Sequence, residues 1–118
     1  MNFLREFLFN RRRKKRYELF VPLKCICSCK ELKDEGYLGY ILNVSETGVL
    51  VVSKYKFVPR TSIKLTFQLP EKDTIFSIDG IIERVSERNI GDYSIGVRVK
   101  ENTTDLLFLL EYARKNKI

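Results

Sequence analysis

The chain has 118 residues, 44% hydrophobic and 12% aromatic, enough apolar side chains for one packed core and too many for a disordered chain. A formal net charge of +7 favours an anionic partner (a nucleotide, a nucleic acid or an acidic membrane surface) without choosing among them. No apolar run approaches the ~20 residues that span a bilayer. Histidine is absent, which removes Ser-His and Cys-His nucleophile pairs.

In chain order, the first ten residues, from Met1 to Asn10, are too short and too interrupted by charge for a secretory leader, so the expected location is cytoplasmic. Phe3, Leu4, Phe7, Leu8 and Phe9 leave a peripheral membrane contact open. The basic run Arg11–Arg16 follows, and residues 1–16 carry no strand pattern, so they read as a basic N-terminal arm. Residues 17–118 are expected to form one β-rich domain closed by a helix.

Within that domain, period-2 alternation between turn signals predicts strands over Phe20–Lys30, Gly36–Leu42, Gly48–Ser53, Ser62–Leu69, Ile75–Ser86 and Asp92–Lys100. In the first of these, Leu23, Cys25, Cys27 and Cys29 share one face. Three cysteines with no histidine and no C-x2-C spacing read as small core thiols rather than a metal site. Lys33–Gly36 is expected to be a hairpin loop in which Gly36 supplies positive φ. Pro59 interrupts the passage from Phe57 to Thr61, and Glu87–Gly91 reads as a polar loop. In the strand from Ile75 to Ser86, alternation puts Phe76, Ile78, Gly80, Ile82 and Arg84 on one face. Residues 103–117 predict one helix: Thr103 or Thr104 caps it, Asp105 suits its positive end, and Leu106, Leu109, Leu110 and Ala113 form its apolar face. Short strands at this spacing suggest a barrel or sandwich, and the helix is expected to cover an open part of it.

No nucleophile set, Walker A loop or G-x-G-x-x-G loop is present, and the acidic residues form no ligand cluster, so no catalytic role is expected. Two local features remain. Arg12 and Arg16 stand in R-x-x-x-R spacing just before the first strand. Arginine offers a planar fork of donors and a face that stacks on rings. Asn43-Val-Ser-Glu-Thr-Gly48 joins two apolar strands. Asn43 and Ser45 can either bond the local backbone, as in any well-made turn, or present a rigid polar edge with the backbone near Gly48. Gly48 supplies the conformational freedom the turn needs.

The two motifs, in this order and strand context, resemble the PilZ domain family over about residues 11–116. That family carries R-x-x-x-R before its first strand and [D/N]-x-S-x-x-G after its second. Gly39-Tyr-Ile-Leu-Asn-Val-Ser-Glu-Thr-Gly-Val-Leu-Val, Thr61-Ser-Ile-Lys-Leu-Thr-Phe-Gln-Leu-Pro and Ile95-Gly-Val-Arg-Val resemble its strands as well. The resemblance implies a six-stranded antiparallel β-barrel of the split-barrel, PilZ-like kind with a C-terminal helix. It also implies binding of the bacterial second messenger cyclic di-GMP, with no other cofactor. Arg12 and Arg16 would grip phosphates and stack on guanines, and Arg11 would add a phosphate contact. Asn43 and Ser45 would contact a guanine edge or hold the turn that does, and Gly48 would permit the turn and a close approach. Asn43 stands where many members carry Asp, which removes a charge and keeps an acceptor.

The expected function is a small stand-alone receptor or adaptor that signals through an unidentified protein partner, with no nucleic acid as ligand. Two alternatives stand beside it. One is an OB-like nucleic-acid-binding barrel using Tyr17, Tyr37, Tyr40, Tyr55 and Tyr93, although these are scattered along the sequence. The other is a PilZ-like interaction module that binds no nucleotide.

Overall fold

The computed structural model describes residues 15–27, 36–70 and 72–116, with Cys27 described by its backbone alone. Six strands follow one another: β1 (Tyr17–Cys27), β2 (Tyr37–Val44), β3 (Gly48–Ser53), β4 (Ser62–Gln68), β5 (Ile75–Asn89) and β6 (Asp92–Val99). One helix, α1 (Thr104–Lys115), ends the described chain. All strand pairs are antiparallel, in the closed order β1-β2-β3-β6-β5-β4, with β1 also pairing β4. This is the six-stranded barrel with a C-terminal helix that the sequence predicts.

Alternation builds the core. Leu19, Val21, Leu23 and Cys25 of β1 point inward, as do Ile63, Leu65 and Phe67 of β4 and Ile95, Val97 and Val99 of β6. Cys25 is fully buried, and burial pushes its thiol up to about 12, since the thiolate would lose its hydration there. Leu23 and Cys25 share the inward face as expected; Cys29 and the side chain of Cys27 lie outside the described residues. Phe57, in the β3–β4 connection, folds under the barrel and meets Tyr37 and Tyr55 edge-on.

The helix closes one end. Thr103 is its N-cap and accepts from the Leu106 N–H, while Leu106, Leu109 and Ala113 are buried against the barrel. Past Gly80, towards its start, β5 has no β6 partner, because the pairing ends at Gly80 with Val99. There Asp105 Oδ2 accepts from the Ser77 backbone N–H at 2.8 Å. The helix thus supplies the acceptor that the missing strand would have given.

Several boundaries and faces depart from the sequence expectation. β1 starts at Tyr17 rather than Phe20, because Tyr17 pairs Val44 and Glu18 pairs Asn43. β5 runs on to Asn89, so the polar loop shrinks to a tight turn in which Gly91 has φ 84°. Gly36 does not take the positive φ expected of it; a Cβ there would stand 2.2 Å from Lys24 Cγ, so close packing on β1 is its role. Arg84 does not share the Ile82 face. A bulge between Ile82 and Arg84 shifts the register, leaving Ile82 buried and Arg84 exposed.

Candidate functional site

The β2–β3 turn is held by its own serine. Ser45 Oγ accepts from the backbone N–H groups of Thr47 and Gly48, both at 3.2 Å, and the Ser45 N–H donates to the Gly48 carbonyl at 2.9 Å. Ser45 is only 1% exposed, so its hydroxyl serves the turn and is not open to solvent. Thr47 carries the turn onward, its carbonyl accepting from the Val99 N–H. Gly48 is not at positive φ, contrary to expectation. Its constraint is space: a Cβ there would sit 3.1 Å from the Val97 carbonyl oxygen of β6.

A bulge sets the direction of Asn43. Ile41 pairs Val51 and Asn43 pairs Leu50, leaving Leu42 as the extra residue. Unbroken alternation from buried Ile41 would send Asn43 into the core; the bulge sends Val44 inward and Asn43 outward. Asn43 Oδ1 then accepts from Arg16 Nη1 at 2.7 Å. This bond joins the basic run before β1 to the turn after β2, across 27 positions of sequence. Arg11 and Arg12 lie outside the described residues, as do Phe3 to Phe9.

Arg16, Asn43 and Gly48 border one open cleft of about 350 Å³, together with Leu50, Glu83, Arg84, Gly96 and Arg98. Its floor is a cross-strand row in which Glu18 pairs Asn43, Asn43 pairs Leu50, Leu50 pairs Gly96 and Gly96 pairs Arg84. Neighbouring strands lie about 4.8 Å apart, so the row from Asn43 to Arg84 spans roughly 14 Å. Arg98 Nε donates to Glu83 Oε2 at 2.8 Å, which neutralises the acid on this wall. Sequence reasoning did not find Arg84, Gly96 or the Arg98–Glu83 pair, because strand alternation alone does not place a bulge.

The cleft has positive charge, donors, an acceptor and a rigid polar turn. Among the described residues that line it, the one carboxylate, Glu83, is held by Arg98. Among the described residues, no three metal-ligating side chains cluster. It can therefore hold an anion through charge and hydrogen bonds.

A larger groove of about 900 Å³ lies elsewhere, lined by Pro22, Tyr37, Leu38, Tyr40, Tyr55 and Arg88 among others. Three tyrosines that are scattered in sequence thus converge. They pack in pairs with neighbouring rings: Tyr37 stacks on Tyr55 at 3.8 Å and Tyr40 stacks on Phe20 at 4.4 Å. No helix among the described residues is long and apolar enough to cross a membrane.

Comparison with known proteins agrees with the geometry. The family model described as "PilZ domain" matches residues 10–112. The structure of the Bacillus subtilis inhibitor of motility, MotI/DgrA, superposes with a TM-score of 0.66 at 20% identity, covering 89% of this chain and 50% of that one. The structure of K. pneumonia MrkH in its apo state gives a TM-score of 0.57 at 20% identity, covering 87% and 52%. This chain therefore spans about half the length of each. Among curated proteins, none matches.

Proposed function

Because this chain belongs to the PilZ domain family, a family of cyclic di-GMP receptor modules rather than enzymes, we propose that it binds cyclic di-GMP in the cleft between Arg16 and the β2–β3 turn. The observation that carries this reading is the Arg16–Asn43 hydrogen bond. It brings one arginine of the R-x-x-x-R run against the first residue of the N-x-S-x-x-G turn.

Each group has a chemical task. Arg16 is exposed and spends one of its five N–H donors on Asn43, leaving the others for phosphate oxygens or a guanine edge. Asn43 keeps its amide N–H donors while its oxygen orients Arg16. Ser45 holds the turn from within and Gly48 lets β6 approach it. Arg11 and Arg12 bring further donors from the preceding run to the two phosphates. The ligand's double negative charge and two flat purines match this set: charge-assisted hydrogen bonds contribute about 1.5–3 kcal/mol each, and stacking about 1–3 kcal/mol per base. The bound module would then act on a downstream protein, as a receptor without chemistry of its own.

The test is calorimetric titration of the wild type and of Arg16→Ala, Asn43→Ala and the double variant. If the two residues act as one site, each single change weakens cyclic di-GMP binding about tenfold or more, and the double change costs less than the sum. Additive losses, or none, would reject the joined site.

A further inference from the structure

The row from Asn43 to Arg84 crosses four strands, and the family's two sequence motifs account only for its Asn43 end. At the other end Arg84 follows the β5 bulge and is exposed. Its side chain lies down across β6: a Cβ on Gly96 would stand 3.4 Å from Arg84 Cγ and 3.5 Å from its Nε. Glycine at position 96 leaves that space empty, so the arginine rests on bare backbone. The nearest acid in sequence, Glu83, is taken by Arg98. No ion pair or side-chain hydrogen bond joins Arg84 to another described residue. An exposed arginine lying along the sheet beside half-buried Leu50 has a planar guanidinium that can stack on a ring in the cleft.

The geometry points to Arg84 as a further ligand contact: a stacking platform for a purine of the bound nucleotide, at the end of the cleft away from Arg16. This rests on the reading of the cleft as a cyclic di-GMP site and extends it. Arg16 and Asn43 hold one side of the ligand, and the second purine lies over Leu50 and Gly96 with Arg84 beneath or against it. The bulge at Glu83 is what makes this side chain available, since strict alternation would bury it.

The experiment is a set of cyclic di-GMP titrations on the full chain with the wild type, Arg84→Ala, Arg84→Lys and Arg88→Ala. Arg88 is an exposed arginine on the same strand that does not line this cleft. The inference expects Arg84→Ala to weaken binding by about fivefold to a hundredfold, the range of a lost stacked base. Arg84→Lys keeps the charge but not the plane and should lose nearly as much, while Arg88→Ala stays near wild type. Unchanged thermal midpoints in all three variants will separate a lost contact from a damaged fold. Near-wild-type affinity in Arg84→Ala would overturn the contact. Full affinity in Arg84→Lys would overturn stacking, as would losses in Arg88→Ala equal to those in Arg84→Ala. In each of those cases wild-type binding leaves the cleft reading standing, whereas a wild type that binds no cyclic di-GMP removes both.

Discussion

Arg16 and Ser45 meet at the same turn and carry opposite kinds of constraint. Arg16 is exposed, and a single exposed hydrogen bond contributes only about 1 kcal/mol to the fold. Its replacement should leave the melting temperature nearly unchanged while removing affinity. Arg16→Lys keeps the charge and loses the fork and the face, so its affinity loss should approach that of Arg16→Ala. Arg13→Ala, which removes the same charge outside the motif, should cost much less. Ser45 behaves the other way. Ser45→Ala leaves the N–H groups of Thr47 and of buried Gly48 without their acceptor and should destabilise the protein by about 1–3 kcal/mol in denaturant unfolding. Any affinity loss in that variant follows from the loosened turn. The Asn43, Ser45 and Gly48 positions were legible in sequence because their spacing is local. Their separate tasks were not, because the burial of Ser45 appears only in the folded barrel and the Val97 carbonyl that approaches Gly48 comes from strand β6, nearly fifty residues on.

Among the elements, β3 has the boundaries that sequence alternation assigns, and the other strands differ by a few residues at their ends. Alternation fails where a bulge inserts a residue, and it does so at the two places that shape the cleft, between Ile41 and Asn43 and between Ile82 and Arg84. A bulge has no strong side-chain signature, so the outward turn of Asn43 and Arg84 could not be read from the chain alone. The helix was legible, with its N-cap narrowed to Thr103 or Thr104, since these threonines, Asp105 and the Leu106–Leu109–Ala113 spacing are local signals. Its attachment was not. Asp105 reaches the Ser77 N–H because the β5–β6 pairing ends at Gly80 with Val99, three positions short of Ser77. Asp105→Ala should therefore cost about 1–3 kcal/mol for the unpaired amide, against about 1 kcal/mol for loss of the Thr103 cap in Thr103→Ala. Urea unfolding of the two variants side by side checks that order.

For the molecule as a whole, closure of β1 onto β4 makes one continuous core and leaves the cleft on the outer wall. Ligand binding there need not open the core. Cys25 lies in that core with its thiol raised from 9.0 to about 12 by burial. The folded state thus holds a proton that the unfolded state releases above pH 9. Stability from this group is complete below pH 9 and is lost as pH rises towards 12. Cys25→Val should flatten the alkaline fall in unfolding free energy relative to wild type; identical pH profiles would show that the thiol contributes nothing to it. Strand alternation pointed to the barrel, and the two motifs, through their resemblance to the PilZ family, pointed to the proposed ligand. The sequence was silent on which wall of the barrel would collect them.

Calorimetric titration of the purified protein with cyclic di-GMP, alongside cyclic di-AMP at the same salt, tests the central claim most directly. The two ligands share charge and ring size and differ at the purine edge that the Asn43 amide and the Arg16 donors would meet. Saturable binding of cyclic di-GMP at about micromolar or tighter affinity is expected, with cyclic di-AMP at least tenfold weaker. Absence of binding, or equal affinity for the two, would contradict a site that reads guanine.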